Sequence, residues 1–293
     1  MTNLAAIATD HVAVYYGTVA VLGLIVGSFL NVVIHRLPAR LHSEWRTQCR
    51  ELLGGAGEAA ETSAPGLVSP RSRCPHCGHT LTALENIPIL SYLFLRGRCA
   101  DCGARISPRY PVVEALTALL SVMVAWRFGP GWESVAALPL TWALVALAFI
   151  DYDHQILPDV ITLPLLWLGL LCNGFALFAD LHSAVLGAAA GYLSLWLVYH
   201  GFRLLTGKEG MGYGDFKLLA VFGAWLGWQQ LPATLLLAAL AGSIVGLTAI
   251  LAFGRDRAKP MPFGPYLAIA GWFALMWGET MTGAYLRYAG ITH

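Results

Sequence analysis

Two short segments of this sequence each place a carboxylate at the edge of a long apolar stretch. One contains Asp151, and the other is Gly212-Tyr-Gly-Asp215. Bilayer hydrocarbon penalises an ionised side chain by about 2.5–3.5 kcal/mol, and only 12% of this chain is charged. Two such acids at one depth could share a proton, so that one takes a proton from water while the other donates to a carbonyl oxygen. The pair predicts hydrolysis by two carboxylates, with no metal or nucleophilic side chain required.

The first segment contains three acids, and the residues alone do not decide which one reacts. Asp159 follows Pro158 at the predicted start of a helix, where an acid is typical of the positive end of the dipole. Asp153 would lie on a different helical face from Asp151 and could simply be solvated. Asp151 is closest to the apolar run, which favours it as the perturbed acid.

The glycines of the second segment admit two interpretations. Gly212 and Gly214 permit close approach by an extended substrate backbone, which would form an access loop before Asp215. A glycine-rich turn before an acidic helix start is also a common structural pattern. The short segment alone does not separate the two.

The rest of the chain must position these acids within a membrane. A hydrophobic content of 57% and a mean hydropathy of +0.62 predict an all-α polytopic membrane protein with about eight transmembrane helices. The net charge of +1 gives no case for nucleic acid binding. The predicted spans are 12–34, 111–128, 135–151, 159–179, 183–205, 215–231, 233–253 and 263–285.

The distribution of basic residues predicts the orientation. Ten of the eighteen Lys and Arg residues fall in the polar segment 35–110, and cytoplasmic loops are enriched in such residues. With the N-terminus outside, sixteen lie inside, and Arg127 and Arg287 lie outside. Both Asp151 and Asp215 then face the cytoplasm. The first 35 residues contain no Lys or Arg, so we expect no cleavable signal peptide.

Four of the six cysteines form two CxxC pairs. Cys74 and Cys77 are followed by Cys99 and Cys102. In a reducing cytoplasm this spacing favours a tetrahedral, structural Zn²⁺ over disulfides, the alternative being four unligated thiols. Cys49 and Cys172 have no sequence partners. We expect His76 and His79 to be solvated neighbours, and residues 41–72, poor in large apolar groups, to be a mobile insertion.

Five segments resemble the type IV prepilin peptidases, which are bifunctional leader peptidases and N-methyltransferases of type IV pili and type II secretion. The resemblance covers nearly the whole chain, and its main departure is the insertion near 41–72. The five segments are Gly27-Ser-Phe-Leu-Asn-Val-Val-Ile-His-Arg-Leu-Pro38, the two CxxC pairs, Arg109-Tyr-Pro-Val-Val-Glu114, Asp151-Tyr-Asp-His-Gln-Ile-Leu-Pro-Asp159 and the GxGD motif ending at Asp215.

The resemblance implies that Asp151 and Asp215 are the catalytic pair. It implies removal of a basic leader from prepilins or pseudopilins after a glycine, on the cytoplasmic side of the bacterial inner membrane. It also implies methylation of the new N-terminal residue with S-adenosylmethionine. The chain would then comprise a first transmembrane helix (1–34), a cytoplasmic zinc domain (35–110) and a seven-helix peptidase domain (111–293). The sequence does not tell which prepilins are processed, what the oligomeric state is, or whether the protein serves pili or secretion.

No Rossmann-type glycine loop accompanies the predicted methyl transfer. Gly97 and Arg98, beside the second CxxC pair, and Glu114, near the membrane surface, are the candidate cofactor residues. Alternatively, Gly97 and Arg98 form a turn with a solvated charge, and Glu114 is an acid at a helix start.

Two other classes of function compete with the peptidase. The acids could bind ions in a transporter or channel, although such sites lie deeper in their helices. The chain could also be a zinc-scaffolded assembly factor without catalysis.

Overall fold

The computed structural model of the chain describes residues 12–53, 66–67, 69–208, 210–254, 256 and 261–288. Over these residues the protein is helical and forms no β-sheet, which confirms the predicted all-α class. Its long helices are α1 (Val12–Leu52), α2 (Arg109–Phe128), α3 (Trp132–His154), α4 (Asp159–Asn173), α5 (Leu181–Thr206), α6 (Tyr213–Leu226), α7 (Leu231–Phe253) and α8 (Gly264–Tyr288).

Each of the eight predicted spans coincides with one of these helices. Five helices of the described part are long and apolar enough to cross a membrane, namely α1, α2, α3, α5 and the Trp228–Ala252 segment that contains α7. The chain is therefore a multi-pass membrane protein. Helices α4 and α6 have 15 and 14 residues, which is short for a span of about 20 residues. That all eight helices cross the bilayer stays a prediction.

The chain divides into two compact units, Met1–Gly131 and Trp132–His293. In the first unit α1 and α2 run antiparallel, because early residues of one meet late residues of the other. Tyr15 donates to the Gly129 carbonyl at 2.9 Å, and Asn31 donates to the Tyr110 carbonyl at 3.1 Å. A Cβ at Gly27 would lie only 2.7 Å from the Glu114 Cα, so this glycine brings the two backbones close, as in many membrane helix pairs.

Helix α1 continues well beyond the apolar run that ends near residue 34. Residues 41–52, which the sequence assigned to a mobile insertion near 41–72, are helical; the mobility of the insertion stays a prediction. Hydropathy marks where apolar residues end, whereas good helix formers and a pair such as Arg40–Glu44, 2.7 Å apart, sustain the helix in water. Residues 54–65 and 68 of the predicted insertion lie outside the described residues.

Helix α6 forms the core of the second unit. It is buried along most of its length from Asp215 to Trp225 and packs against α4, α5 and α8. A Cβ at Gly191 in α5 would lie 2.7 Å from the Leu219 carbonyl, so α5 approaches α6 backbone to backbone. The Trp225 indole donates to the Leu165 carbonyl of α4 at 2.8 Å. These contacts pack α6, whose first turn carries Asp215, tightly against α4 and α5.

Candidate active site and candidate metal centre

Asp151 lies in the last turn of α3 and is buried, with 5% of its surface exposed. The apolar run of α3 carries the carboxylate to the helix end, where Ile150 beside it is fully buried. Its Oδ2 accepts a hydrogen bond of 3.0 Å from the backbone N–H of Gly264, the first residue of α8. The carboxylate is thus desolvated and held by one backbone donor.

Asp215 lies in the first turn of α6 and is also buried, with 7% exposed. Gly212 precedes the helix in an extended conformation, and the positive end of the helix dipole favours an acid at this position. Asp151 is close enough for the negative charges of the two carboxylates to repel each other. The structure therefore brings together the two acids that the sequence proposed as a pair.

Leu157, in the connection between α3 and α4, lies where the starts of α6 and α8 meet. A Cβ at Gly214 would lie 2.8 Å from the Leu157 Cβ, and a Cβ at Gly264 would lie 3.2 Å from the Leu157 Cδ2. Gly214 therefore permits close packing, and a Cβ at Gly212 would meet no atom nearer than 3.9 Å. The predicted role of these two glycines in substrate access stays a prediction.

The other two acids of the first segment point elsewhere. Asp159 begins α4, as the sequence predicted, and both of its carboxylate oxygens accept hydrogen bonds from Lys217, at 2.6 and 2.7 Å. Asp153 is exposed. Neither is buried beside Asp215, so the geometry favours Asp151 as the partner of that residue.

The two CxxC pairs fold into two turns of the same kind. In each turn the first cysteine donates its N–H to a carbonyl five residues later, from Cys74 to His79 and from Cys99 to Ala104, both at 2.8 Å. Gly78 and Gly103 follow the second cysteines with φ values of 74° and 69°, a region that favours glycine. The repeated pattern is therefore CxxCG, and its glycine is a regularity of the sequence that the CxxC spacing alone did not include.

The four thiols converge on one point. Their sulfur atoms all lie within 4.8 Å of one another. The Sγ atoms of Cys74 and Cys102 are 3.8 Å apart, and those of Cys77 and Cys99 are 3.9 Å apart. Tetrahedral zinc with Zn–S bonds of about 2.3 Å requires sulfur atoms about 3.8 Å apart. The donor set and its spacing fit such an ion, whereas Cys49 and Cys172 lie outside this cluster.

The pKa values of two thiols show why a cation suits this cluster. Backbone N–H groups of Cys77 and His76 lower the pKa of Cys74 to about 6. The backbone of His79 lowers the pKa of Cys77, but desolvation and the thiols of Cys102 and Cys74 outweigh it and raise that pKa to about 12. Adjacent thiolates repel one another, and a bound divalent cation would offset the repulsion.

His79 is not simply solvated, contrary to our expectation. Its Nε2 lies 3.1 Å from a Glu85 carboxylate oxygen, and the other Glu85 oxygen accepts the Thr82 N–H at 2.7 Å. The Thr82 N–H, the Thr82 hydroxyl and the His79 ring hold the pKa of Glu85 down at about 2. The His79 carbonyl also accepts the Cys74 N–H, so this network braces the first turn of the cysteine cluster.

The three candidate cofactor residues all have structural partners. Gly97 has a φ of 66°, and a Cβ there would lie 2.9 Å from the Tyr92 ring. Arg98 forms a backbone bridge with Arg105 at the base of the second cysteine turn. Glu114, with 7% exposed, accepts the Ile89 N–H at 2.7 Å. These contacts explain the placement of all three residues without invoking a bound ligand, so their role in methyl transfer stays a prediction.

Comparison with known proteins adds the family to this geometry. Residues 21–128 match the family described as Bacterial Peptidase A24 N-terminal domain, and residues 138–247 match the type IV leader peptidase family. A protein of Aeromonas hydrophila named prepilin leader peptidase/N-methyltransferase is 59% identical over 272 residues, covering 93% of this chain and 94% of that protein. The chain belongs to the type IV leader peptidase family.

Other proteins with the same printed name show similar coverage. The protein of Pseudomonas aeruginosa is 56% identical, with 92% of each chain covered. The protein of Xanthomonas campestris is 48% identical over 96% of this chain and 98% of that protein. No solved structure matches the chain.

The leader peptidase match at residues 138–247 contains both Asp151 and Asp215 but ends before Gly264. Gly264 is the site residue that the sequence motifs did not reveal. The segment Met261-Pro-Phe-Gly-Pro265 was its signal, since a glycine between prolines at a predicted cytoplasmic helix start indicates a specific turn.

Proposed function

We propose that this member of the type IV leader peptidase family removes the leader of type IV prepilins or pseudopilins by aspartic acid catalysis. The observation that supports it best is that Asp151 and Asp215 are both buried, at the end of α3 and the start of α6, where their charges act on each other. The relatives' printed name supports a prepilin leader as the substrate. The leader would be the short basic segment that precedes the apolar pilin helix.

The catalytic step requires one ionised and one protonated carboxyl group. Repulsion between two buried carboxylates disfavours ionising both, so the pair would carry one proton. The ionised member takes a proton from water as the water oxygen attacks the peptide carbonyl carbon. The protonated member donates its proton to the carbonyl oxygen, which gives a tetrahedral gem-diol. The first acid then passes the proton it took from water to the peptide nitrogen, the C–N bond breaks, and the second acid takes back the hydroxyl proton, which releases the leader and a new N-terminus. Gly212 and Gly214 would admit the substrate backbone.

The same protein would then methylate the new N-terminal amine. S-adenosylmethionine would supply an electrophilic methyl group. We keep Gly97, Arg98 and Glu114 as candidates to bind this donor. Their support is their place near the cysteine cluster and at the start of α2, where charged groups meet the membrane surface. The relatives' second printed activity, N-methyltransferase, supports the reaction itself.

A structural Zn²⁺ would hold the two cysteine turns together through Cys74, Cys77, Cys99 and Cys102. The support is the sulfur spacing described above. Four thiolates complete a tetrahedral shell and leave no position for water or substrate. The ion would therefore stabilise the fold of this segment, and we assign it no part in the cleavage step.

We further propose that the chain resides in the bacterial inner membrane, with its N-terminus outside and the cysteine cluster in the cytoplasm. The support is the excess of Lys and Arg on one side, sixteen against two, if all eight predicted spans cross. This orientation places the acids on the side where an uncleaved basic leader would remain.

Incubation of the purified protein with a prepilin in detergent, followed by intact-mass analysis, tests these proposals together. Loss of the leader mass supports the peptidase, and a further gain of one methyl group with S-adenosylmethionine supports the second activity. Neither mass change would appear for an ion transporter or for a non-catalytic zinc scaffold. An unchanged prepilin mass would therefore overturn the proposal.

A further inference from the structure

The first residue of α8, Gly264, contacts the Asp151 carboxylate. The first N–H groups of a helix have no partner within it, and the Gly264 N–H donates instead to the Asp151 Oδ2 at 3.0 Å. The next residue, Pro265, has no N–H to donate. The donor and the acceptor are 113 positions apart in the sequence, so the contact depends on how α8 packs against α3 in the second unit.

Gly264 also has no room for a side chain. A Cβ there would lie 2.6 Å from the Asp151 Oδ2 and 3.0 Å from its Cγ. A separation of 2.6 Å is shorter than the van der Waals contact distance between a carbon atom and an oxygen atom. An alanine would therefore displace the carboxylate, although nothing unusual in the backbone angles requires glycine here.

We infer that Gly264 is a positioning residue for the peptidase reaction. Its N–H fixes the rotation of the Asp151 carboxylate by engaging Oδ2, and its missing side chain lets that carboxylate stand beside Asp215. Oδ1 is then the Asp151 oxygen available to act on water. This inference rests on the proposed catalytic pair and adds the element that sets its geometry.

Gly214 provides a matched comparison, because it is also a tightly packed glycine at a helix start. The three atoms nearest to a Cβ at Gly214 all belong to Leu157, at 2.8, 3.3 and 3.4 Å. Trimming Leu157 to alanine should therefore make room for Gly214→Ala. The same trimming cannot make room for Gly264→Ala, whose closest contacts are with Asp151.

The test measures kcat and KM for cleavage, and the stoichiometry of prepilin binding, in G264A, G214A and the double variants with L157A. We expect G264A to lower kcat about 100-fold, the scale of a misplacement of about 1 Å in a catalytic group. G264A should keep the wild-type KM, bind one prepilin per protein and retain a thermal transition, because the fold and the substrate surface persist. Leu157→Ala should restore the thermal midpoint of G214A in detergent to that of L157A alone, because it relieves the packing contact, and it should leave the kcat of G264A impaired. Gly201→Ala, where a Cβ meets nothing within 4 Å, is the silent control.

Three results would overturn the inference. The first is wild-type kcat in G264A, and the second is recovery of G264A by L157A. The third is loss of the G264A thermal transition or of prepilin binding, which would show that the glycine serves packing alone. Asp151→Asn, measured alongside, separates the catalytic pair from the role of Gly264. An active D151N refutes the catalytic pair itself, whereas an inactive D151N with a fully active G264A refutes only the role of Gly264.

Discussion

Lys217 donates hydrogen bonds to both carboxylate oxygens of Asp159, at 2.6 and 2.7 Å. The pair joins the start of α4 to the first turn of α6, only two residues after Asp215. The Asp159 side chain is 52% exposed and that of Lys217 is 28% exposed, and ion pairs at such exposure contribute at most about 1 kcal/mol. The bridge therefore helps to set the position of Asp215 without being essential for folding.

Removal of this bridge should reduce cleavage modestly. We expect K217M and D159N each to lower kcat by less than about fivefold, since about 1 kcal/mol corresponds to that change in rate. The double variant should be no worse than either single variant, because both remove one interaction. A double-mutant cycle on cleavage checks this, with K208M as a control for loss of a lysine. Fully additive effects would contradict a direct coupling.

Asp151 and Asp215 should each be required for prepilin cleavage. Substituting Asp151 or Asp215 by asparagine removes a group that must accept or donate a proton, so cleavage should fall by about 100-fold or more. Methylation of a peptide whose N-terminal amine is already free should persist in both variants. The matched control is Asp153→Asn, which changes an exposed acid two residues from Asp151. Substantial cleavage by purified D151N or D215N would rule out the dyad.

Loss of one cysteine of the cluster should release the metal. We expect one zinc per chain in the wild type and much less in C74S, since a serine hydroxyl is a poor replacement for a thiolate in a tetrahedral shell. Mass spectrometry of the metal in purified protein is the measurement. The control is C49S, because Cys49 lies on α1 outside the cluster. Equal zinc content in C74S and wild type would remove Cys74 from the ligand set.

Close packing of α1 on α2 should make Gly27 intolerant of a side chain. A Cβ there would lie 2.7 Å from the Glu114 Cα and 3.1 Å from the Thr117 Cβ, and overpacking costs about 1–3 kcal/mol. G27A should therefore lower the thermal midpoint in detergent. Gly17→Ala changes the same helix where a Cβ meets nothing within 4 Å, so its midpoint should not fall. Equal midpoints for the two variants would argue against a tight interface.

The sequence predicted the helices better than the contacts between them. Each of the eight predicted apolar spans overlaps one helix, because an apolar segment in hydrocarbon must pair its backbone groups internally. The end of α1 was missed, since the charged residues after position 40 continue a helix that hydropathy treats as loop. The choice of Asp151 over its two neighbours came from family resemblance, and burial beside Asp215 now supports it independently.

Other parts of the site left little trace in the sequence. The donor to Asp151 is a backbone N–H, which no side-chain motif reveals, and its position depends on a helix that begins 113 residues later. The partner of Asp159 is likewise 58 residues away. Long-range pairing of this kind follows from packing, and local patterns do not encode it. The cysteine turns were predictable because their geometry is local.

Helix α1 is continuous from Val12 to Leu52 and is longer than one membrane crossing requires. At 1.5 Å per residue, its 41 residues span about 60 Å, roughly twice the thickness of the hydrocarbon core. About half of the helix would therefore project into water, continuous with the half that lies in lipid. Pro38 falls near that transition and removes one backbone hydrogen bond. Bending would concentrate at this joint, so tilting of the membrane half would swing the aqueous half about a defined pivot.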